Sequence, residues 1–385
     1  MNPDHTASTP PQRVGRWVVA LVLMLAGIAA YVPARHACLA FRLMLALRNL
    51  AAGSTAEDLP VIQEAVLRKC GSRNLEALVY RPARSPAERA IVLVAGISEL
   101  GCYHPRLMAL SRSLSNQGFL VLTPDIRMFR RFEIAPEAMD EVAFWFAQVE
   151  GLPGGERIRQ IGLGGISFSG TLALITAARP EIRGRVAYVL AIGAYDDPLR
   201  CSRRWFAAGP VTVGAGYYPT RFYAKWIIMR AALDLLPSAQ EQQFLSTALE
   251  DLLLQKQVPP PPVTLSPEAG RWYRMATMRE DEADPELAQE IEDHLVPRLY
   301  GPITPDRAAA DVRCPVFLIH GAHDDLIPPE ESVTLRDRLK HTKSYLLISP
   351  FLTHTHPLER PLMWDEKLRG VVDLFTFCYG FARTV

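Results

Sequence analysis

The sequence lacks several features that would assign it to a binding or metalloprotein class. Its 385 residues carry a formal net charge of only +1, and a nucleic-acid surface needs a basic excess. The six cysteines are scattered singly and no Cys-x-x-Cys pair occurs, so the spacing typical of a zinc site or a redox pair is missing. No internal repeat is present. What is left is a globular composition, with 49% hydrophobic residues in a chain long enough to bury a large core.

Charge is also missing from a run near the N-terminus. Residues 17–32 are all uncharged, and the next charge is Arg35. About 18 residues of helix span about 27 Å, close to the roughly 30 Å hydrocarbon core of a bilayer. We expect residues 1–50 to form an uncleaved single-pass membrane helix followed by a juxtamembrane helix. A cleaved signal peptide and a buried hydrophobic helix remain the alternatives.

The orientation of this predicted anchor stays open. Basic residues flank both of its ends, namely Arg13, Arg16, Arg35, Arg42 and Arg48. The positive-inside rule therefore gives no clear answer. Because an N-terminal segment of this length commonly acts as a signal-anchor, we expect the domain that follows to be exported. The short apolar helix at residues 41–48 would lie on the membrane surface or pack on that domain.

From about residue 60 onward, short apolar runs alternate with helical patterns. Residues 90–94, Ala-Ile-Val-Leu-Val, are typical of a strand buried in a parallel sheet. The other predicted strands are residues 75–81, 119–123, 157–163, 185–192, 315–319 and 345–349, and the predicted helices are residues 105–117, 136–149, 329–339 and 362–377. This alternation predicts an α/β fold, with a mostly parallel sheet and helices on both faces.

The alternation stops between about residues 197 and 313. This segment is aromatic and helix-like, with apolar residues at helical spacing over 222–236 and an acidic helical stretch over 280–292. A segment this long cannot be a structureless loop in a compact domain. We predict a helical cap inserted into a domain that spans residues 60–385. The aromatic residues of the segment are expected to form the cap's own core.

One serine stands at a junction between a strand pattern and a helix pattern. Residues 161–172 read Ile-Gly-Leu-Gly-Gly-Ile-Ser-Phe-Ser-Gly-Thr-Leu, with Ser167 at the centre. The small residues Gly165 and Ser169 would allow a sharp turn that holds Ser167 strained and pointing out of the sheet. An ordinary glycine-rich turn is the alternative; a P-loop would need Gly-Lys-Ser/Thr, which does not follow. The pattern resembles the Gly-x-Ser-x-Gly nucleophile elbow of the α/β-hydrolases, with Ser169 where glycine is usual.

Two later segments resemble the acid and base loops of the same family. Residues 315–328, Pro-Val-Phe-Leu-Ile-His-Gly-Ala-His-Asp-Asp-Leu-Ile-Pro, match an apolar strand followed by the acid loop. Their register selects Asp324 as the acid, with Asp325 as the alternative. After the last predicted strand, His354 is placed as the general base, with His356 as its rival. The order serine, acid, histidine is that of the family.

The resemblance also implies an oxyanion hole made of two backbone N–H groups. One is the N–H of Phe168, directly after the serine. The other is the N–H of Ile97, in Ala95-Gly96-Ile97, where the family usually has His-Gly. Ser167, Asp324 and His354 would then act as a catalytic triad, in which the histidine takes the serine proton and the carboxylate orients the histidine.

The implied activity is that of a serine hydrolase acting on a carboxylic ester or thioester through an acyl-enzyme. A small-molecule or lipid-like, hydrophobic substrate is expected, with no cofactor, no metal and no nucleic-acid partner. Two alternatives keep the same fold: an acyltransferase using the same triad, and a membrane-anchored scaffold without catalysis. A third is a metal hydrolase built on His354-x-His356. The residues that follow, from Pro357 onward, lack the Asp-His of a metallo-β-lactamase-type site.

Overall fold

The computed structural model describes residues 31–45, 47, 60–207, 220–256, 258, 260–261, 265–277, 284–352 and 362–385. An eight-stranded sheet lies at its centre. The strands are β1 (Val61–Cys70), β2 (Arg73–Pro82), β3 (Arg89–Val94), β4 (Phe119–Pro124), β5 (Gln160–Ile166), β6 (Val186–Ile192), β7 (Val316–Gly321) and β8 (Ser344–Ser349). Their spatial order is β1-β2-β4-β3-β5-β6-β7-β8. Among these described strands β2 pairs antiparallel with β1 and β4, and the remaining pairings are parallel. The prediction of a mostly parallel α/β sheet is confirmed.

Helices connect the strands and cover both faces of the sheet. They are α1 (residues 31–45 and 47), α2 (Pro105–Asn116), α3 (Arg127–Arg130), α4 (Ala138–Gln148), α5 (Phe168–Ala177), α6 (Pro198–Phe206), α7 (Thr220–Ala231), α8 (Ala239–Leu253), α9 (Pro267–Thr277), α10 (Pro285–Leu295), α11 (Gly301–Ile303), α12 (Asp306–Ala309), α13 (Pro329–Arg338) and α14 (Trp364–Thr384).

The central strands read as unbroken apolar runs because both of their faces are covered. All six residues of β4 and of β7 are buried. Successive side chains of a strand point to opposite faces. Phe317 and Ile319 therefore pack with α1, α2 and α14, whereas Val316 and Leu318 pack with α4, α5 and α13.

The structure differs from the sequence prediction at the first edge of the sheet. The predicted first strand, residues 75–81, is β2, and β1 precedes it through a tight turn in which Gly71 has φ +59°. Only glycine adopts such a backbone without strain. Most side chains of β1 are exposed or half-buried, as expected for an edge strand, so its sequence carries no apolar run. At the other end of the chain, α14 continues beyond the predicted limit at residue 377 to Thr384.

The parallel strands end together at one edge of the sheet. Val94 at the end of β3 is in register with Gly165 of β5, and Ile192 of β6 is in register with Ile166 and Ile319 on its two sides. The loops after β3, β5, β6 and β7 therefore leave the sheet next to one another. This edge is where ligands bind in open α/β sheets.

The segment between β6 and β7 holds the helices α6 to α12 in its described parts. Its apolar side chains belong to the same buried cluster as α4 and α5. Trp226 of α7 donates from Nε1 to the carbonyl of Ala276 on α9 at 2.9 Å, which ties two of these helices to each other. The aromatic residues that were expected to form the core of this segment thus include a buried, hydrogen-bonded tryptophan.

The predicted membrane run, residues 17–32, lies outside the described residues except for Tyr31 and Val32 at the start of α1. None of the described helices combines the length and apolar character that a membrane span requires. Helix α1 packs on the domain: Ala40 and Leu43 are buried, and the ring of His36 lies 6.4 Å from that of Tyr379 on α14.

All six cysteines lie among the described residues, and none of them forms a disulfide. Cys38 on α1 is exposed and Cys70 is half-buried, while the other four are buried. Burial raises the pKa of the Cys314 and Cys378 thiols to about 12. These thiols are therefore neutral, weakly reactive core residues.

Candidate active site

A cavity of about 610 Å³ opens at the edge where the parallel strands end. Four residues that the sequence predicts to be functional line it together, namely Ser167, Phe168, Ile97 and Asp324. They come from three loops and from the start of α5, spread over more than half of the chain. The volume is in the range of small-molecule sites.

Ser167 stands at a sharp turn between β5 and α5. Its backbone has φ +58° and ψ −131°, a region that non-glycine residues enter only under strain. Its N–H donates a 2.6 Å hydrogen bond to the carbonyl of Ile192 on β6, which helps to hold the turn. A Cβ atom on Gly165 would lie 2.0 Å from the carbonyl oxygen of Ser169, so the turn requires glycine there. This is the geometry of a nucleophile elbow.

Of the two residues predicted to supply the N–H groups of the oxyanion hole, Phe168 directly follows Ser167 in this turn and Ile97 lies on the loop after β3. The Phe168 side chain is held by an edge-on contact with Phe129 at 5.8 Å and by stacking on Tyr195 at 5.9 Å. The loop of Ile97 passes close to the nucleophile, since a Cβ on Gly96 would lie 3.5 Å from the Cβ of Ser167. Within the described part of the chain, neither N–H donates a hydrogen bond. Both residues line the cavity, as the predicted oxyanion hole requires.

The loop after β3, residues 95–99, is called the oxyanion loop after its predicted role. It is fixed along its length by hydrogen bonds to other elements. Ser169 Oγ donates to the carbonyl of Ala95 at 2.5 Å, and Tyr223 Oη of α7 donates to the carbonyl of Ile97 at 2.7 Å. Arg130 Nε donates to the carbonyl of Glu99 at 3.1 Å. In the sequence, Ser169 stands out as a small residue of the predicted turn and as a departure from the family pattern. Neither its bond to Ala95 nor the role of Tyr223 was predicted.

Asp324 lies on the loop after β7, with its side chain 3% exposed. Its Oδ1 accepts hydrogen bonds from the N–H groups of Leu326 at 3.0 Å and Ile327 at 2.9 Å. Trp205 of α6 donates from Nε1 to the Leu326 carbonyl at 2.7 Å and so braces the same loop. The alternative acid, Asp325, is exposed and does not line the cavity. The geometry thus favours Asp324 as the carboxylate that faces the site.

A fully buried histidine, His320, supports the acid loop from inside the sheet. Its Nε2 lies 2.8 Å from the Ile327 carbonyl and 3.4 Å from Asp324 Oδ2, and its Nδ1 lies 2.6 Å from Ser332 Oγ. Because a carbonyl only accepts, Nε2 carries a proton and donates it to the Ile327 carbonyl. Ser332 Oγ lies between His320 Nδ1 and the carbonyl of Ala194, to which it donates at 3.2 Å. A polar residue inside the apolar run of β7 was the only signal of this role in the sequence.

A buried ion network ties the start of α6 to α13. Glu331 accepts hydrogen bonds from the N–H groups of Asp196 and Asp197, both at 2.9 Å, and from Arg200 Nε at 2.5 Å. Asp196 in turn accepts from Arg200 and Arg338. The two carboxylates are almost completely buried, and such charges require paired, hydrogen-bonded surroundings. The network fixes where the inserted segment leaves the sheet.

The predicted general base, His354, and its rival His356 lie outside the described residues. Among the described residues, no group of three His, Cys, Asp or Glu side chains could hold a metal ion.

No protein-family model and no curated protein matches the chain. Solved structures similar to it include an acylaminoacyl peptidase of Pyrococcus horikoshii, with 14% identity, 85% of this chain and 41% of that chain covered, and a TM-score of 0.46. An esterase of Pyrococcus furiosus has 13% identity, 83% and 92% coverage, and a TM-score of 0.46. A fungal esterase of Rhizomucor miehei has 15% identity, 86% and 88% coverage, and a TM-score of 0.42. The chain spans about two fifths of the length of the peptidase.

The chain's own geometry defines its fold. The sheet is mostly parallel with helices on both faces. A strained serine occupies the turn from β5 to α5, and the carboxylate of Asp324 follows β7, so the two residues come in the order that the resemblance of the sequence to the α/β-hydrolases implies. The described chain therefore has an α/β fold, with a mostly parallel sheet between two layers of helices.

Proposed function

We propose that the chain is a serine hydrolase that cleaves a carboxylic ester or thioester through an acyl-enzyme. The single observation that carries this proposal is the strained Ser167, which faces the same cavity as Asp324 and the oxyanion-hole residues Ile97 and Phe168. Strain at such a position is maintained only when the surrounding structure holds it, and it is common at catalytic residues.

The reaction would proceed in two half-reactions, in which an acyl-enzyme is first formed and then hydrolysed. Ser167 Oγ attacks the carbonyl carbon while His354 takes the serine proton, and the carbonyl oxygen becomes an anion held by the N–H groups of Ile97 and Phe168. The tetrahedral intermediate collapses, the leaving group departs with the proton from His354, and an acyl-enzyme remains. Water then attacks the acyl carbon and gives a proton to His354, which passes it to Ser167 Oγ as the bond to the acyl group breaks and the acid is released. Asp324 orients the histidine in both halves.

The cavity supports a hydrophobic substrate. Its lining includes side chains from the inserted helices and from the loop after α3, such as Phe132, Ile134, Trp226, Ile227 and Leu252. Apolar walls of this kind stabilise an acyl chain by removing its surface from water. We therefore propose a small-molecule or lipid-like ester with an extended apolar acyl group as the substrate class.

A panel of p-nitrophenyl esters of increasing chain length tests this function on the wild-type protein and on Ser167→Ala. The wild type is expected to hydrolyse the longer esters with the higher kcat/KM, and the variant is expected to be inactive. An active variant would contradict the proposal. Hydrolysis that needs an added alcohol acceptor would instead indicate an acyltransferase, and no turnover of any ester would favour a non-catalytic scaffold.

We also propose that the protein is attached to a membrane through residues 17–32, with the catalytic domain exported. An exposed apolar stripe on α14 supports this attachment. Trp364 is 86% exposed and Leu368 is 67% exposed, and Val371 and Val372 follow on the same helical face. Lys367 Nζ lies 5.5 Å from the centre of the Trp364 ring. Tryptophan beside basic residues is typical of the membrane–water interface.

Carbonate washing of cell membranes tests the attachment. The full-length chain is expected to stay in the pellet, whereas a chain beginning at residue 31, which keeps α1, should be released. Recovery of the full-length protein from the soluble fraction at its native length would contradict the anchor. Recovery of a shortened protein would indicate a cleaved signal peptide.

A further inference from the structure

One tyrosine of the inserted segment, Tyr223, holds the oxyanion loop in place. Tyr223 lies on α7, and its hydroxyl donates the 2.7 Å hydrogen bond to the carbonyl of Ile97. Its ring is half-buried and packs edge-on against Phe132 at 5.8 Å. Burial raises the pKa of Tyr223, so the hydroxyl keeps its proton and remains a donor around neutral pH.

This contact fixes Ile97, which lines the cavity and whose N–H belongs to the proposed oxyanion hole. On the other side of Gly96, the carbonyl of Ala95 is fixed by Ser169 at 2.5 Å. The peptide between Gly96 and Ile97 therefore lies between two anchored carbonyls. Glycine offers little steric resistance to rotation, so the loss of either anchor would let this peptide turn its N–H away from the cavity.

We propose that Tyr223 is a positioning residue for the oxyanion hole, so that the inserted segment sets the catalytic geometry in addition to lining the cavity. The inference rests on the proposed serine-hydrolase function. Donors must be held in place before charge develops on the substrate oxygen, because reorganisation during the reaction costs transition-state stabilisation. A displacement of α7 would therefore weaken catalysis even with the substrate still bound.

The test is Tyr223→Phe in the full-length chain, which removes one oxygen and keeps the ring contact with Phe132. We expect kcat for a p-nitrophenyl ester to fall about ten-fold, less than the roughly 10²–10³-fold loss when an oxyanion donor itself is removed. The KM is expected to stay within about two-fold of the wild-type value, since substrate binding in the ground state does not use this hydrogen bond.

A trifluoromethyl ketone inhibitor supplies a second readout. Ser167 Oγ adds to the ketone carbon, the serine proton passes to the general base, and the carbonyl electron pair moves to oxygen, which becomes an oxyanion in the hole. The affinity of Tyr223→Phe for this inhibitor is expected to fall by the same factor as kcat, because both report on the oxyanion. A defect in folding or packing alone would not lower kcat and inhibitor affinity by the same factor.

Tyr188→Phe is the matched control. Its buried hydroxyl also donates to a backbone carbonyl, that of Ala90, at 3.2 Å, and it does not line the cavity. We expect wild-type kcat for this control. Thermal unfolding of both variants sets a temperature at which each is fully folded for the assays.

Wild-type kcat and inhibitor affinity in Tyr223→Phe would overturn the inference, as would a change confined to KM. An equal loss of kcat in Tyr188→Phe would also overturn it, because the effect would then not be specific to the oxyanion loop. Failure of the proposed function is distinguishable from failure of this inference, because the wild-type protein would then show no turnover that depends on Ser167.

Discussion

The hydroxyl of Ser169 donates a 2.5 Å hydrogen bond to the carbonyl oxygen of Ala95. Each of these residues departs from the α/β-hydrolase pattern, Ser169 in the elbow and Ala95 in the oxyanion loop. In the structure, the side chain of Ser169 contacts the backbone of Ala95, the other residue that differs from the pattern. The serine at this position thus links the nucleophile turn to the loop that carries Ile97.

Removing this hydroxyl with Ser169→Ala is expected to lower the free energy of unfolding by about 0.5–1.5 kcal/mol, the usual net value of one hydrogen bond. The kcat should fall several-fold as well, since the Ala95 carbonyl loses its anchor. Thr176→Val is the control, because its buried hydroxyl donates to Leu172 within the same helix and away from the cavity. A similar loss of kcat in both variants would argue against a specific role for Ser169.

Ser167→Ala should abolish labelling by a fluorophosphonate probe, because the probe reacts with an activated serine. The kcat is expected to fall by on the order of 10⁴–10⁶-fold. Chemical denaturation should show that the variant stays folded, since the change removes one hydroxyl at the cavity without opening the core. Labelling of Ser167→Ala at the wild-type level would overturn the assignment of the nucleophile.

Asp324→Asn and Asp325→Asn are a matched pair of variants. Each replaces one of two neighbouring carboxylates by an amide. In Asp324→Asn, the oxygen of the new amide can still accept from the N–H groups of Leu326 and Ile327, so the loop keeps its shape while the carboxylate charge is lost. We expect kcat to fall by about 10⁴-fold in Asp324→Asn and to change less than about two-fold in the exposed Asp325→Asn. The reverse order of effects would transfer the acid role to Asp325.

His104 makes the stability of the fold depend on pH. Its Nδ1 accepts a hydrogen bond from the N–H of Arg106 at the start of α2, at 3.3 Å. Burial, and then the nearby charge of Arg106, lower the pKa of His104 from its ordinary value of 6.5. As the pH falls below 6.5, the unfolded chain binds the proton before the folded chain does, so the free energy of unfolding decreases.

Denaturant titrations of the wild type and of His104→Asn between pH 8 and pH 5 would measure this effect. Asparagine can cap the helix without titrating. We expect the decrease on acidification to be smaller in His104→Asn than in the wild type, with little difference between them above the unfolded pKa. Equal slopes in the two proteins would exclude His104 as a contributor.

The sequence predicted β2 to β8 because parallel strands covered on both faces appear as short apolar runs. It did not predict β1, since Glu64, Arg68 and Lys69 break the apolar pattern on an edge strand. The crossover that places β4 between β2 and β3 depends on packing between distant segments. A local sequence pattern does not predict such packing, so the strand order could not be predicted.

The candidate site was predictable where a residue type and its local strand context suffice, as for Ser167 and Asp324. The contacts that hold the loops of the site in place were not predictable from the sequence. Tyr223 lies among several aromatic residues, and nothing near it in the sequence marks the one hydroxyl that reaches Ile97. Trp205 is similar, since its bond to the Leu326 carbonyl joins positions more than a hundred residues apart.

Cys38 gives α1 a native attachment point for a spectroscopic label. It is exposed, whereas burial raises the pKa of the Cys102, Cys314 and Cys378 thiols to about 12. A maleimide at neutral pH should therefore react first at Cys38, because alkylation needs an accessible thiolate. A nitroxide placed there would report the depth of α1 relative to lipid headgroups without any engineered cysteine.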